Sequence, residues 1–102
     1  RPQAEYYVGW LNLDEKADGL AETNFLQVVK QVPADPLAAD SRLQLGLLFL
    51  RAQRFKEAGE QLAALRSAFP AFAKMDEVVY SAGVALARQD QAVQRRSRLQ
   101  RR

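Results

Sequence analysis

The chain has 102 residues, the usual length of one domain, and 48% of them are hydrophobic and 26% charged. It contains no Cys and no His, which excludes disulfides, Cys metal sites and the usual nucleophile–base pairs of enzymes within this sequence. The net charge is +3, but five arginines among residues 95–102 contribute +5 and leave the remainder at −2.

All predicted elements are helices, because no segment alternates apolar and polar residues as a strand does. The helices are expected at residues 2–13, 18–32, 36–51, 55–69 and 73–88, with a sixth from residue 91 onward. Asp35 is the predicted N-cap of the third helix, and Pro36 suits its first position. Asp90 is expected to cap the sixth helix.

The chain repeats itself when it is shifted by 37 residues. The shift superimposes three glycines, Gly9, Gly46 and Gly83. It also superimposes four pairs, which are Ala21 with Ala58, Phe25 with Leu62, Val28 with Leu65, and Pro33 with Pro70. A fixed period of this length indicates an array of units that each bury an apolar face against a neighbour.

The repeated unit resembles the tetratricopeptide repeat (TPR). In the second unit the family's L-G-x-x-Y, A-x-x-x-F and closing proline are matched by Leu45, Gly46, Phe49, Ala58, Leu62 and Pro70. The first unit is matched by Val8, Gly9, Ala21, Phe25 and Pro33, with Asn12 in place of the aromatic residue. The third matches at Ala82, Gly83 and Leu86 and then departs, since Arg95 stands where the small Ala belongs.

This resemblance implies an all-α, right-handed stack of antiparallel helical hairpins, a TPR-like α-solenoid of five to six helices. Residues 1–102 would form a single domain, with repeats at about 2–35 and 36–72 and a degenerate third or capping unit at about 73–102. About three repeats are needed for stability. We therefore expect either a piece of a longer array or a last segment that acts as a cap.

The unit is 37 residues long, whereas a standard TPR has about 34, and the added residues follow Pro33 in the linker at residues 33–38. In repeat length and linker style it is similar to TPR proteins of the bacterial cell envelope, the Tol-Pal coordinator and outer-membrane barrel-assembly lipoproteins. That similarity implies an envelope or periplasmic location, with the cytoplasm as the alternative. The chain starts at Arg1 with no signal-like run, so we expect any targeting segment to have been removed.

The third helix is apolar almost all round. Leu43 and Leu45 are two residues, and so about 200°, apart on a helix, and such a helix is buried on both sides. In TPR proteins the second side lines a concave groove that holds a partner segment. The corresponding residues, named here the groove row, are Tyr6, Trp10, Leu13, Leu43, Leu47, Leu50, Tyr80 and Val84, with Arg51 and Arg88 at the rim.

The alternative for the groove row is core packing. Leu47 or Leu50 would then fill the contact between neighbouring first helices, and Tyr6 and Trp10 would pack against an upstream repeat. A groove aromatic offers a large contact area, which makes Trp10 the strongest single candidate for a partner contact.

The sequence thus predicts a non-enzymatic scaffold or adaptor that binds a protein or peptide partner, without catalytic residues, cofactor or metal. One alternative is a homo-oligomer formed through the same row. Another is attachment to nucleic acid or anionic membrane through Arg95, Arg96, Arg98, Arg101 and Arg102. No aromatic residue follows Tyr80 to stack on bases, so a solvated terminal helix is the simpler interpretation. No apolar run approaches the ~18 residues of a membrane span.

Overall fold

The computed structural model describes residues 1–100, which form five α-helices. These are α1 (Pro2–Asp14), α2 (Asp18–Gln31), α3 (Pro36–Arg51), α4 (Phe55–Ala68) and α5 (Met75–Gln100). Helix makes up 83% of the structure and residues 1–100 contain no strand, so the predicted all-α class is confirmed. The bounds of the first four helices agree with the predicted ones to within one residue.

Each helix packs on the next one along the chain, from α1 on α2 to α4 on α5. Contacts between α1 and α3, and between α3 and α5, bring the three odd-numbered helices side by side. No helix within residues 1–100 combines the length and the apolar character that crossing a membrane requires.

The start of α3 is capped as the sequence predicts. The Asp35 side chain accepts a hydrogen bond from the backbone N–H of Leu37 at 2.8 Å, and Pro36 takes the first helical position. An N-terminal proline loses no helical hydrogen bond there, because the first N–H groups of a helix have no partner within it.

The 37-residue period of the sequence is also a period of backbone conformation. Lys16 and Gln53, which are equivalent under the shift, both adopt the left-handed region, at φ 59° and 60°. The following residues, Ala17 and Arg54, each donate a backbone hydrogen bond of 2.8 Å to the fifth residue before them. Two different tripeptides therefore make the same turn between the helices of a pair.

The two equivalent glycines of α1 and α3 lie at close helix contacts. A Cβ atom on Gly9 would lie 2.9 Å from the Phe25 ring, and one on Gly46 would lie 2.6 Å from Cδ2 of Leu62. Phe25 and Leu62 are themselves equivalent and fully buried. Glycine is needed at these positions because no side chain fits between the paired helices.

Two apolar clusters form the core. The first draws on all five helices and contains Ala21, Phe25, Leu45, Leu48, Phe49, Ala58 and Ala85, with Tyr6 and Trp10 packed against it. The second joins α3, α4 and α5 through Leu43, Leu62, Leu65 and Val78. Full burial of a side chain such as Leu62 is worth about 1.5–3 kcal/mol, so these contacts hold the units together.

The prediction of a sixth helix is wrong, because α5 runs without a break for 26 residues and passes through Asp90. No glycine or proline interrupts the chain after Gly83. A hairpin at this point would also place Arg95 where Ala21 and Ala58 are fully buried. Burying an arginine there would be costly, so the helix gains nothing by folding back.

Candidate protein-binding groove

Two aromatic residues of the groove row, Tyr6 and Trp10, stand on the buried ring of Phe25. The centroid of the Phe25 ring lies 6.2 Å from that of Tyr6 and 6.2 Å from that of Trp10, and both pairs meet edge to face. Such pairs are favourable beyond the area they bury. The core therefore fixes both rings while part of each remains accessible.

The Tyr6 hydroxyl joins α1 to α3 by donating a hydrogen bond of 2.5 Å to Oδ2 of Asp40. Burial, followed by the hydrogen bond to Asp40, raises the pKa of Tyr6 to about 12. Both causes favour the neutral phenol over the phenolate. Tyr6 thus fixes α1 relative to α3. One side of its ring also remains accessible.

The leucines of the groove row in α3 divide between core and surface. Leu43 is 0% exposed and belongs to the second core cluster, so the expectation that it contacts a partner is wrong. A helix that is apolar almost all round can bury either side, and here the Leu43 side packs on α4 and α5. Leu47 and Leu50 are half-buried and pack against the edges of the two clusters.

The remaining apolar members of the groove row lie at its two ends. Leu13 on α1 is half-buried against the first cluster. On α5, Val84 is half-buried and Tyr80 is 73% exposed. Accessible apolar area therefore continues from α1 through α3 to α5.

The two predicted rim arginines differ in their surroundings. Arg51 makes an ion pair of 3.2 Å with Asp18 at the start of α2, and both side chains are about half exposed. An exposed pair of this kind contributes little to stability, but it directs the guanidinium towards α2. Arg88 is exposed on α5, beside Phe55, Gln91 and Arg95.

The predicted polyanion contacts lie mainly at the end of α5. Arg95, Arg96 and Arg98 are all exposed. Since successive helical residues are 100° apart, these three side chains point to different sides of the helix and form no single basic face. Arg101 and Arg102 lie outside the described residues.

Arg54 lies in the gap between the predicted third and fourth helices and was not a candidate site residue, but its side chain connects three helices. Its guanidinium binds Glu57 on α4 at 2.8 and 2.6 Å and Glu22 on α2 at 2.7 Å, and it lies 4.4 Å from the centroid of the Phe49 ring. Hydrogen bonds from Arg54 lower the pKa of Glu57. The spacing of Arg54 and Glu57 was a visible signal for this pair, whereas the contact with Glu22 needed the fold.

A second apolar surface, also missed, lies where α4 leads into α5. Its lining consists of Pro36, Ala39, Ala68, Phe69, Pro70, Ala71 and Phe72. Two phenylalanines around a proline were the only signal in the sequence, and they pack inward against the second core cluster. This recess lies beside the linker at residues 33–38.

The site offers apolar contact and shape rather than reactive groups. Within residues 1–100, no cluster of three or more acidic side chains is placed to hold a metal ion. Comparisons with protein-family models, with curated proteins and with solved structures find no match to this chain.

Proposed function

We propose that this protein is a TPR-like interaction scaffold that holds a peptide or helix of a partner protein along α1, α3 and α5. The observation that carries the proposal is the run of partly accessible apolar side chains across three neighbouring helices. Its members are Trp10, Leu13, Leu47, Leu50, Tyr80 and Val84. Four of them, Trp10, Leu13, Leu47 and Leu50, pack against the core and therefore present a prepared surface, which reduces the entropy lost on binding.

The TPR-like arrangement is supported by equivalences inside the molecule. The turns at Lys16 and Gln53 match, and the contacts of Gly9 with Phe25 and Gly46 with Leu62 recur 37 residues apart. Repeats of this kind stack into extended surfaces that suit elongated partners. The linker style after Pro33 favours a bacterial cell-envelope setting for such a scaffold.

The expected affinity is modest. Five of the six side chains are already partly buried, so we count on average about half of the ~1.5–3 kcal/mol that full burial of each would give, or roughly 4–9 kcal/mol in total. Association costs an estimated ~4–15 kcal/mol. At most about 5 kcal/mol remains, which corresponds to a Kd of roughly 0.2 mM or weaker. Such weak binding suits an adaptor that gains strength from additional contacts or from several copies.

Selection from a library of random linear peptides tests the proposal, followed by fluorescence anisotropy of a selected, labelled peptide. Tyr80→Ala should weaken binding about tenfold or more, as expected for an accessible aromatic anchor. Trp10→Ala combined with Leu47→Asp should abolish it while helical content is retained. Leu20→Asp, an exposed leucine on α2, is the matched control and should bind normally.

Equal binding by the Tyr80 variant and the control would contradict the proposal. Unfolding of the double variant, together with normal binding by Tyr80→Ala, would assign the row to the core. A groove that binds only a second copy of the chain would appear as a rise in mass that Tyr80→Ala removes.

A further inference from the structure

The outward side of α5 carries an apolar stripe separate from the groove row. Val79, Leu86 and Val93 are spaced seven residues apart and are 45%, 66% and 56% exposed. Gly83 lies between the first two, and a Cβ atom on it would meet no atom of residues 1–100 within 4 Å. A spacing of seven places side chains on one seam of a helix, which is the pattern by which helices pair.

Two of these four positions, Gly83 and Leu86, are interior in the preceding unit, whereas Val79 corresponds to half-buried Arg42 and Val93 to exposed Lys56. Phe49, the equivalent of Leu86, is 3% exposed, and Gly46, the equivalent of Gly83, lies against Leu62. In that unit α4 packs over Gly46 and Phe49. The stripe therefore has the composition of a helix contact but lacks a helix to cover it among residues 1–100.

The second half of α5 buries no residue against the rest of residues 1–100. Every residue from 91 to 100 is exposed, including Val93 and Leu99. Helices of this length are marginal in water when no packing supports them. Folding back onto its own unit is blocked by Arg95, which would fall at the buried position of Ala58.

We infer that two copies of this chain associate through the stripe, with their α5 helices antiparallel. The charges of α5 favour this occupant and this direction, because its start is acidic and its end is basic, and Asp76 and Arg96 are the charges at the two ends that lie beside the stripe. An antiparallel pair places Asp76 of one copy beside Arg96 of the other at both ends, whereas a parallel pair opposes like charges.

A two-fold axis at Leu86 makes the stripe self-complementary, as an interface between identical chains must be. Val79 and Val93 are each seven residues from Leu86, so Val79 of one copy meets Val93 of the other. The unsupported second half of each α5 then lies along the first half of its counterpart. Gly83 permits close approach of the two backbones.

Sedimentation velocity across a hundredfold range of protein concentration tests the association. The wild-type mass should rise from that of a monomer towards that of a dimer, and Leu86→Lys should remain monomeric throughout. Leu20→Lys, an equally drastic change at an exposed leucine on α2, should behave as the wild type does. A wild-type chain that stays monomeric at every concentration, or equal association of all three proteins, would overturn the inference.

Cross-linking tests the direction, since the chain contains no cysteine of its own. Leu86→Cys should form a disulfide-linked dimer under mild oxidation. Val79→Cys mixed with Val93→Cys should form a disulfide between the two variants, while each alone should stay mostly without a cross-link, because like positions lie about 21 Å apart along the antiparallel helices. Efficient cross-linking of Val79→Cys with itself would establish a parallel pair and refute the proposed arrangement.

The two proposals can fail separately, because the stripe shares no residue with the groove row. Loss of dimerisation in Leu86→Lys should leave the affinity for a selected groove peptide within about twofold of the wild-type value. A loss of peptide binding in that variant would contradict the separation of the two surfaces.

Discussion

The α3–α4 pair and α5 contain equivalent positions of the same unit, but only the pair buries them. Leu62 is fully buried on Gly46, whereas its equivalent, Leu99, is exposed on the outer half of α5. One of the differences between the segments stands at a close contact, where small Ala58 lets α4 approach α3 and Arg95 would prevent a corresponding approach. Residue type at a close contact thus decides whether a helix doubles back or continues.

The largest expected effect separates these two leucines. Leu62→Ala should lower the free energy of unfolding by about 2–5 kcal/mol, because it leaves a cavity in the second core cluster. Leu99→Ala should change it by less than about 0.5 kcal/mol, as is usual for surface positions. Urea denaturation measures both, at a concentration where the chain is monomeric. A large loss in the Leu99 variant would mean that α5 packs on its own unit.

The next effect concerns the glycine under Leu62. Gly46→Ala should destabilise the protein by about 1–3 kcal/mol, since the new methyl group would overlap Cδ2 and Cγ of a fully buried side chain. Combining it with Leu62→Ala should cost less than the sum of the two single changes, because the methyl group then enters vacated space. Strict additivity in this double-mutant cycle would argue against direct contact.

The equivalent change in α5 should have the opposite sign. Gly83→Ala should raise the free energy of unfolding by about 0.5–1 kcal/mol, because alanine favours a helix and meets no neighbour within residues 1–100. The measurement should be made in the Leu86→Lys variant, in which α5 does not dimerise. Thermal denaturation gives the shift, and a destabilised variant would show that this side of α5 is covered even in the monomer.

The last effect is confined to alkaline pH and compares equivalent tyrosines. The hydroxyl of Tyr6 donates a hydrogen bond to Asp40 on α3. Tyr80, the equivalent residue two units later, is mostly exposed. The pKa of Tyr6 is raised from 10.0 to about 12, so folding favours the protonated phenol. Its contribution is complete below pH 10 and should be lost as the pH rises towards 12.

Denaturation of the wild type and of Tyr6→Phe at several pH values isolates this contribution. The stability advantage of the wild type should shrink between pH 10 and pH 12, while Tyr80→Phe should follow the wild-type curve. A constant difference in stability between wild type and Tyr6→Phe across this range would show that the phenol does not stabilise the contact between α1 and α3.

Much of the fold could be derived from local patterns. The cap at Asp35, the first four helices and the close contacts of Gly9 and Gly46 depend on residues that are near in sequence or related by the 37-residue period. The fate of residue 91 onward was predicted wrongly because Asp90 resembles a cap. A cap only favours a helix start, and it ends no preceding helix when the following segment cannot pack back on its own unit.

The candidate site was less accessible to sequence reasoning than the helices were. Leu43, Leu47 and Leu50 form one stripe, and nothing in their spacing tells which of them the neighbouring helices cover. Arg54 shows the same limit, since Glu57 is visible three residues away but Glu22 comes from another unit.

By itself, the sequence determined the first four helices, their pairing and the position of the repeated turn, because caps, periodicity and small residues act over short distances. Only the tertiary structure decided which leucine of the Leu43, Leu47 and Leu50 stripe is core, where Arg54 finds its partners and which side of α5 stays open. Those outcomes depend on the burial that several helices create together, and burial is a property of the assembled helices rather than of any single segment.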